Sequence, residues 1–346
     1  MTLRILLASA YGPEARRGNA STCRRYAAAI RAAGGEAVWV HGEGDVLRRA
    51  LDDALRGFAP DLVHGHHATR VGPALRAVGR PYVLSIGGTE FEQVEAGAAS
   101  DAALRDAVAG ARRLLVPGTL GAAAWVDGGY VDPSRLSLVP RAVAAPAEPP
   151  PSRRAGVAGP LRRAAGFSDA DVVVLLPSGL RPGKDPLRAV RLFDRAAAEV
   201  PALALAVLGM PLDPTTVAAV RAAAATRPRV ALLRPVPAED MPAHYADADV
   251  VLNTSLHEGL SNALLEAQAA ARPTLASAIP ANRDAVGDDP AALFATDDDA
   301  VAKLVALAVD PALRERRGRE GHAFVRRACA VESEARALLA AYAAAR

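Results

Sequence analysis

The chain has 346 residues, of which 51% are hydrophobic and 4% aromatic, and its formal net charge at pH 7 is +3. This length suits two domains of roughly 150 residues each. The small net charge and the few aromatic residues argue against a nucleic-acid partner, which needs a basic surface and rings that stack on bases. No apolar run approaches the roughly 20 residues of a membrane-spanning helix, and two distant cysteines suggest no disulfide framework. We therefore expect a cytoplasmic protein without a transmembrane segment.

In the first half of the chain, short apolar runs alternate with alanine- and arginine-rich segments of helical period. This alternation is typical of parallel α/β units, whose buried strands are continuously apolar. The predicted strands are Leu3–Ser9, Ala37–His41, Asp61–His64, Tyr82–Ile86, Leu114–Val116 and Leu136–Val139. The predicted helices between them include Thr22–Ala33 and Asp45–Gly57.

The third predicted strand ends in a histidine-rich run, His64-Gly65-His66-His67. The alternation of side chains along a strand puts His64 and His66 on one face. No cysteine or acidic residue at ligand spacing completes a zinc site with them. His66 is therefore a candidate contact for an acceptor substrate, and an ordinary strand-end histidine is the alternative interpretation.

Two other loops of the first half carry candidate residues. Gly18, within Arg17-Gly18-Asn19, follows the first strand, where a glycine lets the backbone approach a donor phosphate or sugar closely. Such loops also carry glycine for the turn alone. Thr89 and Glu90 follow the fourth strand and are further candidates for the acceptor side.

A proline cluster separates the two halves and predicts a linker, with Pro146, Pro149, Pro150 and Pro151 followed by Arg153 and Arg154. We expect domains at residues 1–145 and 146–328, with residues 329–346 forming a helix that crosses back to the first domain. The second half repeats the α/β pattern with strands at Val172–Leu176, Leu203–Leu208, Val230–Leu232, Val250–Asn253 and Thr274–Ala276. Two doubly wound, Rossmann-like sheets would then face a central cleft at the carboxyl ends of their strands, where such folds bind ligands.

The segment Pro177–Pro186 follows the first strand of the second domain and carries two basic residues. Arg181 can hold two phosphate oxygens at once, whereas Lys184 supplies a compact positive charge. Gly179 precedes them and allows a tight turn. A Walker A loop is excluded because Asp185 stands where that motif needs serine or threonine. A plain surface turn with two basic residues is the alternative.

The segment Val250–Pro280 is the richest in polar residues with a chemical role. A buried strand is followed by His257, Glu258 and Gly259, and a helix is expected to begin near Leu260, Ser261 and Asn262. The free amide groups at such a helix start, together with the helix dipole, favour a diphosphate. Glu258 precedes this start and can accept hydrogen bonds from sugar hydroxyls, while Glu266, about one turn into the helix, can take both hydroxyls of a ribose. An exposed helix with solvated glutamates is the alternative.

Two runs of aspartates are interpreted as structural. Asp247-Ala248-Asp249 has the spacing of an Asp-x-Asp metal motif but immediately precedes a buried strand. Asp297-Asp298-Asp299 is expected to open a helix, where acidic residues suit the dipole. We therefore expect no metal site.

The two glutamates Glu258 and Glu266, separated by seven residues, resemble the signature of family 4 retaining glycosyltransferases, which have the GT-B architecture. The segment from Gly179 to Pro186 resembles the "glycosyltransferase family 1 domain-containing" branch, where Gly-Leu-Arg, a short gap and Lys-Asp-Pro occur together. The resemblance implies that Arg181, Lys184 and Glu258 are catalytic. It also implies a donor site of those three residues with Gly18, Gly179, Gly259, Leu260, Ser261, Asn262 and Glu266.

This resemblance implies transfer of a hexosyl unit from a nucleotide-diphosphate sugar to a small-molecule, glycan or lipid acceptor, with retention of anomeric configuration. The nucleotide sugar is then a co-substrate, and no cofactor or metal is needed. In the implied front-face mechanism the departing phosphate oxygen helps to deprotonate the acceptor. The family commonly has a histidine near the reacting sugar, and Gly87 occupies that position here.

Three alternatives remain open at this point. A selenosugar synthase shares a Gly-Asn after the first strand and a Gly-Gly-Thr-acid segment, as at Gly18-Asn19 and Gly87–Glu90, but has Gly-Gly-Ala-Asn where this chain has Gly259–Asn262. A nucleotide-sugar epimerase or hydrolase of the same fold is the second alternative. A nucleotide-sugar-binding protein without catalysis is the third.

Overall fold

The computed structural model describes residues 2–15, 18–86, 88–95, 97–150 and 158–346. The chain divides into two compact units. The first unit is Met1–Ala142 with Val331–Arg346, and the second unit is Val143–Ala330. The predictions made for Arg17, Gly87, Pro151, Arg153 and Arg154 lie outside the described residues.

The first unit is built on a parallel sheet. Its strands are β1 (Arg4–Ser9), β2 (Glu36–His41), β3 (Leu62–His66), β4 (Tyr82–Ser85), β5 (Arg113–Val116) and β6 (Leu136–Leu138). Their spatial order within the described residues is β2-β1-β3-β4-β5-β6. Each predicted strand of this half is found, with ends shifted by at most two residues. The order reverses between β1 and β3, which is the switch point of this doubly wound sheet.

The second unit is built on a second parallel sheet. Its strands are β7 (Val172–Pro177), β8 (Leu203–Leu208), β9 (Val230–Leu233), β10 (Val250–Asn253), β11 (Thr274–Ser277) and β12 (Leu293–Phe294). Their described order is β12-β11-β10-β7-β8-β9. Successive strands are added on one side of β7 up to β9 and on its other side from β10 onward, so the strand order reverses between β7 and β10. The carboxyl ends of these two strands therefore form the switch point at which such sheets bind ligands. The short strand β12 was not predicted, because two residues are too few to show a period.

Helices connect the strands in both units. They are α1 (Gly18–Ala32), α2 (Gly44–Gly57), α3 (Ala68–Val78), α4 (Glu90–Glu95), α5 (Asp101–Gly110), α6 (Thr119–Asp127), α7 (Pro160–Ala165), α8 (Pro186–Glu199), α9 (Pro214–Ala225), α10 (Met241–Asp247), α11 (Asn262–Ala269), α12 (Pro280–Val286), α13 (Asp297–Val309), α14 (Pro311–Ala328) and α15 (Val331–Ala345). Several begin at side-chain caps: Asp213 accepts a hydrogen bond from the Thr216 amide, and Thr296 from the Asp299 amide. Within the described ranges, no helix combines the length and the apolar character needed to cross a membrane.

The last helix, α15, belongs to the first unit. Leu338 and Tyr342 are fully buried in a cluster that includes Ile5 of β1. Glu334 receives two hydrogen bonds from the guanidinium of Arg25, at 2.8 and 3.0 Å. Helix α15 lies within the helix predicted for residues 329–346, and α14 ends just before that range, at Ala328.

Candidate functional site

The loop that follows β7 is fastened to the loop that follows β8. The Ser178 amide donates to the Leu208 carbonyl at 2.9 Å, and the Leu180 amide donates to the Met210 carbonyl at 2.8 Å. A side chain at Gly209 would put its β-carbon 1.7 Å from the Ser178 carbonyl oxygen, so this close approach requires glycine. The basic loop is therefore held at the carboxyl edge of the second sheet by backbone contacts.

The same loop is also fastened to the loop that follows β10. The Leu256 amide donates to the Gly183 carbonyl at 2.9 Å, and the Thr254 hydroxyl donates to the Asp185 carbonyl at 2.9 Å. Asp185 has a left-handed backbone, with φ of 36°, and its side chain accepts a hydrogen bond from the Arg188 amide at the start of α8. Asp185 thereby ends the basic loop at the switch point and begins the next helix.

These contacts bring Lys184 and Glu258 together. The Lys184 ammonium forms an ion pair with Glu258 Oε1, and the exposed fractions of the two side chains are 19% and 9%. Ser255 Oγ donates to the same oxygen at 2.8 Å, and Asn253 Nδ2 donates to it at 3.3 Å. Among the described residues, no hydrogen bond reaches the second oxygen, Oε2. The carboxylate is therefore anchored through one oxygen and has the other available to accept hydrogen bonds.

Electrostatics keep this carboxyl group ionised. Burial alone raises the pKa of Glu258, but the ammonium of Lys184 and the hydrogen bonds from Ser255 and Asn253 outweigh it. The net result is a pKa below the ordinary value of a glutamate. The side chain is thus a hydrogen-bond acceptor, and not a proton donor, at neutral pH.

Asn253, at the end of β10, is a residue that the sequence interpretation missed. Its Nδ2 group donates to Glu258 Oε1 and, at 3.1 Å, to Ser261 Oγ. Its Oδ1 accepts from the Ser255 amide at 2.9 Å and from Asn282 Nδ2 at 3.2 Å. A polar residue ending an apolar strand was the available signal, but the partners lie up to 29 residues away in the chain.

Helix α11 begins at Asn262, within the predicted start. Ser261 is the residue before the helix, but its side chain makes no capping bond and instead accepts the hydrogen bond from Asn253. Gly259 is not among the described glycines with positive φ. Leu260 is buried, whereas Asn262 is half-buried and is the first residue of the helix.

The remaining predicted donor residues of this unit lie on either side of the ion pair in the chain. Arg181 precedes the single helical turn Pro182–Lys184 and has extended backbone, and Gly179 packs so that an added β-carbon would lie 2.8 Å from Leu212. Glu266 is exposed on α11 and accepts a 3.0 Å hydrogen bond from the hydroxyl of Tyr245. Burial, followed by the charge of Glu266, raises the pKa of Tyr245 well above its ordinary value, so the phenol remains a donor.

The predicted residues Gly18, His66, Thr89 and Glu90 lie in the first unit. Gly18 is the exposed first residue of α1. The carboxylate of Glu90, 1% exposed, accepts hydrogen bonds from the backbone amides of Ala68, Gly88 and Thr89. The structure therefore places Glu90 inside its loop, where it organises the backbone after β4.

The three histidines at the end of β3 have different environments. His64 is hydrogen-bonded to the hydroxyls of Tyr342 and Ser85, at 2.7 and 2.8 Å. His67 has a positive φ of 87° and shares a 2.8 Å hydrogen bond with Thr89 Oγ1. His66 is 1% exposed and its ring nitrogens have no partner in the described chain. Burial, followed by the charge of Arg141, holds the pKa of His66 well below its ordinary value, so its ring is neutral.

The Asp-x-Asp segment is engaged in internal contacts. The fully buried guanidinium of Arg162 pairs with Asp247 at 3.1 Å and with Asp249 at 2.5 Å. The Val173 amide also donates to Asp249 at 2.8 Å. These carboxylates therefore join α7 to the sheet. Across the described ranges, no group of three potential ligand side chains is arranged to hold a metal ion.

Comparison with known proteins finds glycosyltransferases among the similar sequences. Residues 172–310, which contain the ion pair and both loops, match the family model described as "Glycosyl transferases group 1". Glycosyltransferase 1 domain-containing protein 1 of Xenopus tropicalis is 32% identical over 143 residues, which are 41% of each chain. The D-inositol 3-phosphate glycosyltransferase of Salinispora tropica is 30% identical over 205 residues, 56% of this chain and 42% of the relative. The chain thus spans about two fifths of the length of these curated relatives.

Solved structures match over nearly the whole chain. The sucrose-phosphate synthase of Thermosynechococcus elongatus has a TM-score of 0.79 at 16% identity, covering 96% of both chains. Anabaena HepE in complex with UDP has a TM-score of 0.73 at 15% identity, covering 96% of this chain and 98% of the other. The fold is GT-B, as the sequence predicted, and the segment that matches the glycosyltransferase group 1 model lies within the second unit.

Proposed function

We propose that this chain, which has the GT-B fold and a segment matching the glycosyltransferase group 1 model, is a retaining glycosyltransferase. It moves a hexosyl unit from a nucleoside-diphosphate sugar to a hydroxyl-bearing acceptor. The observation that carries this proposal is the Lys184–Glu258 pair at the switch point of the second sheet. It supplies a cation for phosphate and, on Glu258 Oε2, a carboxylate oxygen for sugar hydroxyls.

The residues have separate roles in this proposal. Arg181 and Lys184 stabilise the negative charge that develops on the departing nucleoside diphosphate. The backbone amides at the start of α11 bind the diphosphate, because helix starts favour anions. Glu258 accepts hydrogen bonds from the sugar, and Glu266, oriented by Tyr245, accepts them from the ribose. Thr89, which is half-buried, contacts the acceptor, while Glu90 supports that loop from within.

The proposed chemistry needs neither a resident cofactor nor a metal ion. The departing phosphate oxygen takes the acceptor proton on the same face of the sugar, so the configuration is retained without a protein base. A neutral His66 is suited to hydrogen bonding with a hydroxyl and not to strong base catalysis. Transfer is therefore expected to continue in the presence of EDTA.

Thermal unfolding in the presence of UDP-, GDP- and ADP-sugars tests the donor assignment, because a ligand that binds the folded state raises the unfolding temperature. UDP is the first probe, since HepE was solved with UDP and with UDP-glucose. The acceptor panel begins with inositol 3-phosphate, the substrate class in the name of the Salinispora relative.

Turnover measurements complete the test. Lys184→Ala should reduce transfer by roughly a hundredfold or more, in line with the loss of an electrostatic contact to a developing anion. Full activity of that variant would overturn the proposal. Donor consumption that is independent of any acceptor would instead indicate an epimerase or hydrolase, and binding without turnover a non-catalytic protein. NMR of the product anomer tests retention.

A further inference from the structure

The hydrogen bond from Asn253 to Glu258 depends on how the Asn253 amide is turned. In the observed orientation both Nδ2 hydrogens and both Oδ1 lone pairs are used, by Glu258 and Ser261 on one side and by Ser255 and Asn282 on the other. Rotation of the amide by 180° would point Oδ1 at the Glu258 carboxylate. Two acceptors would then face each other, and the carboxylate would lose a donor.

Asn282 opposes this rotation. It lies in α12, is 0% exposed, and directs Nδ2 toward Asn253 Oδ1, the Ser277 carbonyl at 3.0 Å and Ser277 Oγ at 3.1 Å. Because acceptors surround its Nδ2, the Asn282 amide itself has one favoured orientation. A rotated Asn253 would present its own Nδ2 hydrogens to those of Asn282.

Asn282 is costly for the core. Its Oδ1 atom is buried without a hydrogen-bond partner in the described residues. An unsatisfied buried carbonyl destabilises a fold, whereas an apolar residue of similar shape would avoid that loss. Tight packing therefore does not account for an amide here, but its donor group, which is shared between Ser277 and Asn253, does.

We propose that Asn282 is a positioning residue for donor recognition, which acts through Asn253 to hold Glu258 with Oε1 anchored and Oε2 presented to the sugar. This inference rests on the proposed function for its ligand, but the chain of hydrogen bonds from Asn282 to Glu258 is independent of it. The relay connects the strand ends of β11 and β10 to the ion pair with Lys184.

The first experiment needs no ligand. The pH dependence of stability, compared between the protein and its Glu258→Gln variant, reports the pKa of Glu258 through proton linkage. Lys184 is the charged group that faces this carboxylate, and it is unchanged in the test. In Asn282→Leu, which adds no charge, Asn253 Oδ1 keeps only the Ser255 amide as a donor, so the amide of Asn253 is held less firmly and the pKa of Glu258 should rise. An unchanged pKa of Glu258 would overturn the relay.

The second experiment compares UDP-glucose with UDP, which lacks the sugar. In Asn282→Leu the binding of UDP-glucose should weaken by roughly five- to tenfold, the size of one ordinary lost hydrogen bond, while UDP changes by less than about twofold. If the thermal-unfolding panel shows that the protein prefers a GDP-sugar, GDP-glucose and GDP replace UDP-glucose and UDP in this experiment. Asn282→Ala serves as a second variant should the larger leucine disturb folding.

Two controls separate positioning from general stability. Gln268→Met removes another buried amide of the same unit, one that donates to the Leu264 and Ala285 carbonyls, and should lower stability while the preference for UDP-glucose stays. In an Asn253→Ala background, Asn282→Leu should have no further effect on that preference, because contacts in series are not additive. Additive losses would overturn action through Asn253.

The outcomes also distinguish this inference from the proposed function. A raised pKa of Glu258 in Asn282→Leu, with no preference for UDP-glucose over UDP in the unaltered protein, would support the relay and contradict the sugar contact of Glu258. A clear preference for UDP-glucose that survives Asn282→Leu would leave the proposed function standing and refute Asn282 as a positioning residue.

Discussion

Replacing Lys184 by methionine should reverse the sign of the pH dependence that Glu258 contributes to stability. In the protein the pKa of Glu258 is depressed, so its contribution is present above the pKa of an unfolded glutamate and is lost as pH falls. Without the ammonium, burial dominates and the pKa of Glu258 rises. The contribution is then present below the unfolded pKa and is lost as pH increases.

The size of the effect follows from the burial of the pair. Removing one partner of a fully buried ion pair costs about 3–5 kcal/mol. Here the Lys184 side chain is 19% exposed and water reaches it, so we expect about 2 kcal/mol near pH 8. For a unit of this size that corresponds to a decrease in unfolding temperature of roughly 4–8 °C. Near pH 4 the carboxyl group of the variant is protonated, so the difference should shrink.

Thermal unfolding from pH 4 to pH 8 measures this directly. The double variant Lys184→Met/Glu258→Gln lacks the Glu258 carboxylate and should lose the pH-dependent part of the difference. Lys303→Met is the matched control, since Lys303 bonds two backbone carbonyls as well as the half-exposed Asp299. A stability difference between the protein and Lys184→Met that is constant from pH 4 to pH 8 would refute the electrostatic account of the pair.

Three further outcomes are expected. Tyr245→Phe removes the hydrogen bond to Glu266 and should weaken UDP binding by roughly threefold to tenfold by calorimetry, with fold and turnover number preserved; unchanged binding would separate Glu266 from the ribose. Burial lowers the pKa of His64 to about 3. The free energy of unfolding should therefore decrease as pH falls from 6.5 toward 3, by up to about 1.4 kcal/mol per pH unit from this residue. Acid unfolding curves of a His64→Gln variant should lack this slope. Gly209→Ala forces a β-carbon against the Ser178 carbonyl, so it should destabilise the second unit by about 2 kcal/mol or more and weaken UDP binding, whereas a neutral effect in thermal unfolding would contradict the packing of this loop.

The secondary structure was largely legible from local pattern. Buried parallel strands such as Leu203–Leu208 are continuously apolar, and their ends were predicted without error here. The strand that was missed has a local cause as well, because β12 is only two residues long. The hydrophobic pattern predicts a strand or helix where its period is repeated several times, and it gives no prediction where the element is too short to repeat it.

The site itself was predicted as a list of residues and not as an arrangement. Lys184 and Glu258 were both named for contacts with a donor, but 74 residues separate them, and only the strand order β10-β7 brings their loops together. Ser261 directly precedes α11, yet its hydroxyl accepts a hydrogen bond from Asn253 and does not cap the helix. A hydrogen-bond donor on another strand or helix can compete for the side chain of a capping residue. Such a donor cannot be predicted from the four residues around the helix start.

The sequence by itself determined that two α/β units follow one another and that a loop carrying Glu258 and Gly259 precedes a helix in the second. Hydrophobic period and turn residues act locally, so they are visible in the linear chain. Only the tertiary structure decided that Glu258 is anchored through Oε1 and that Asn253 and Asn282 stand in series with it. Those hydrogen bonds join residues on different strands and helices, and their partners are chosen by the sheet order.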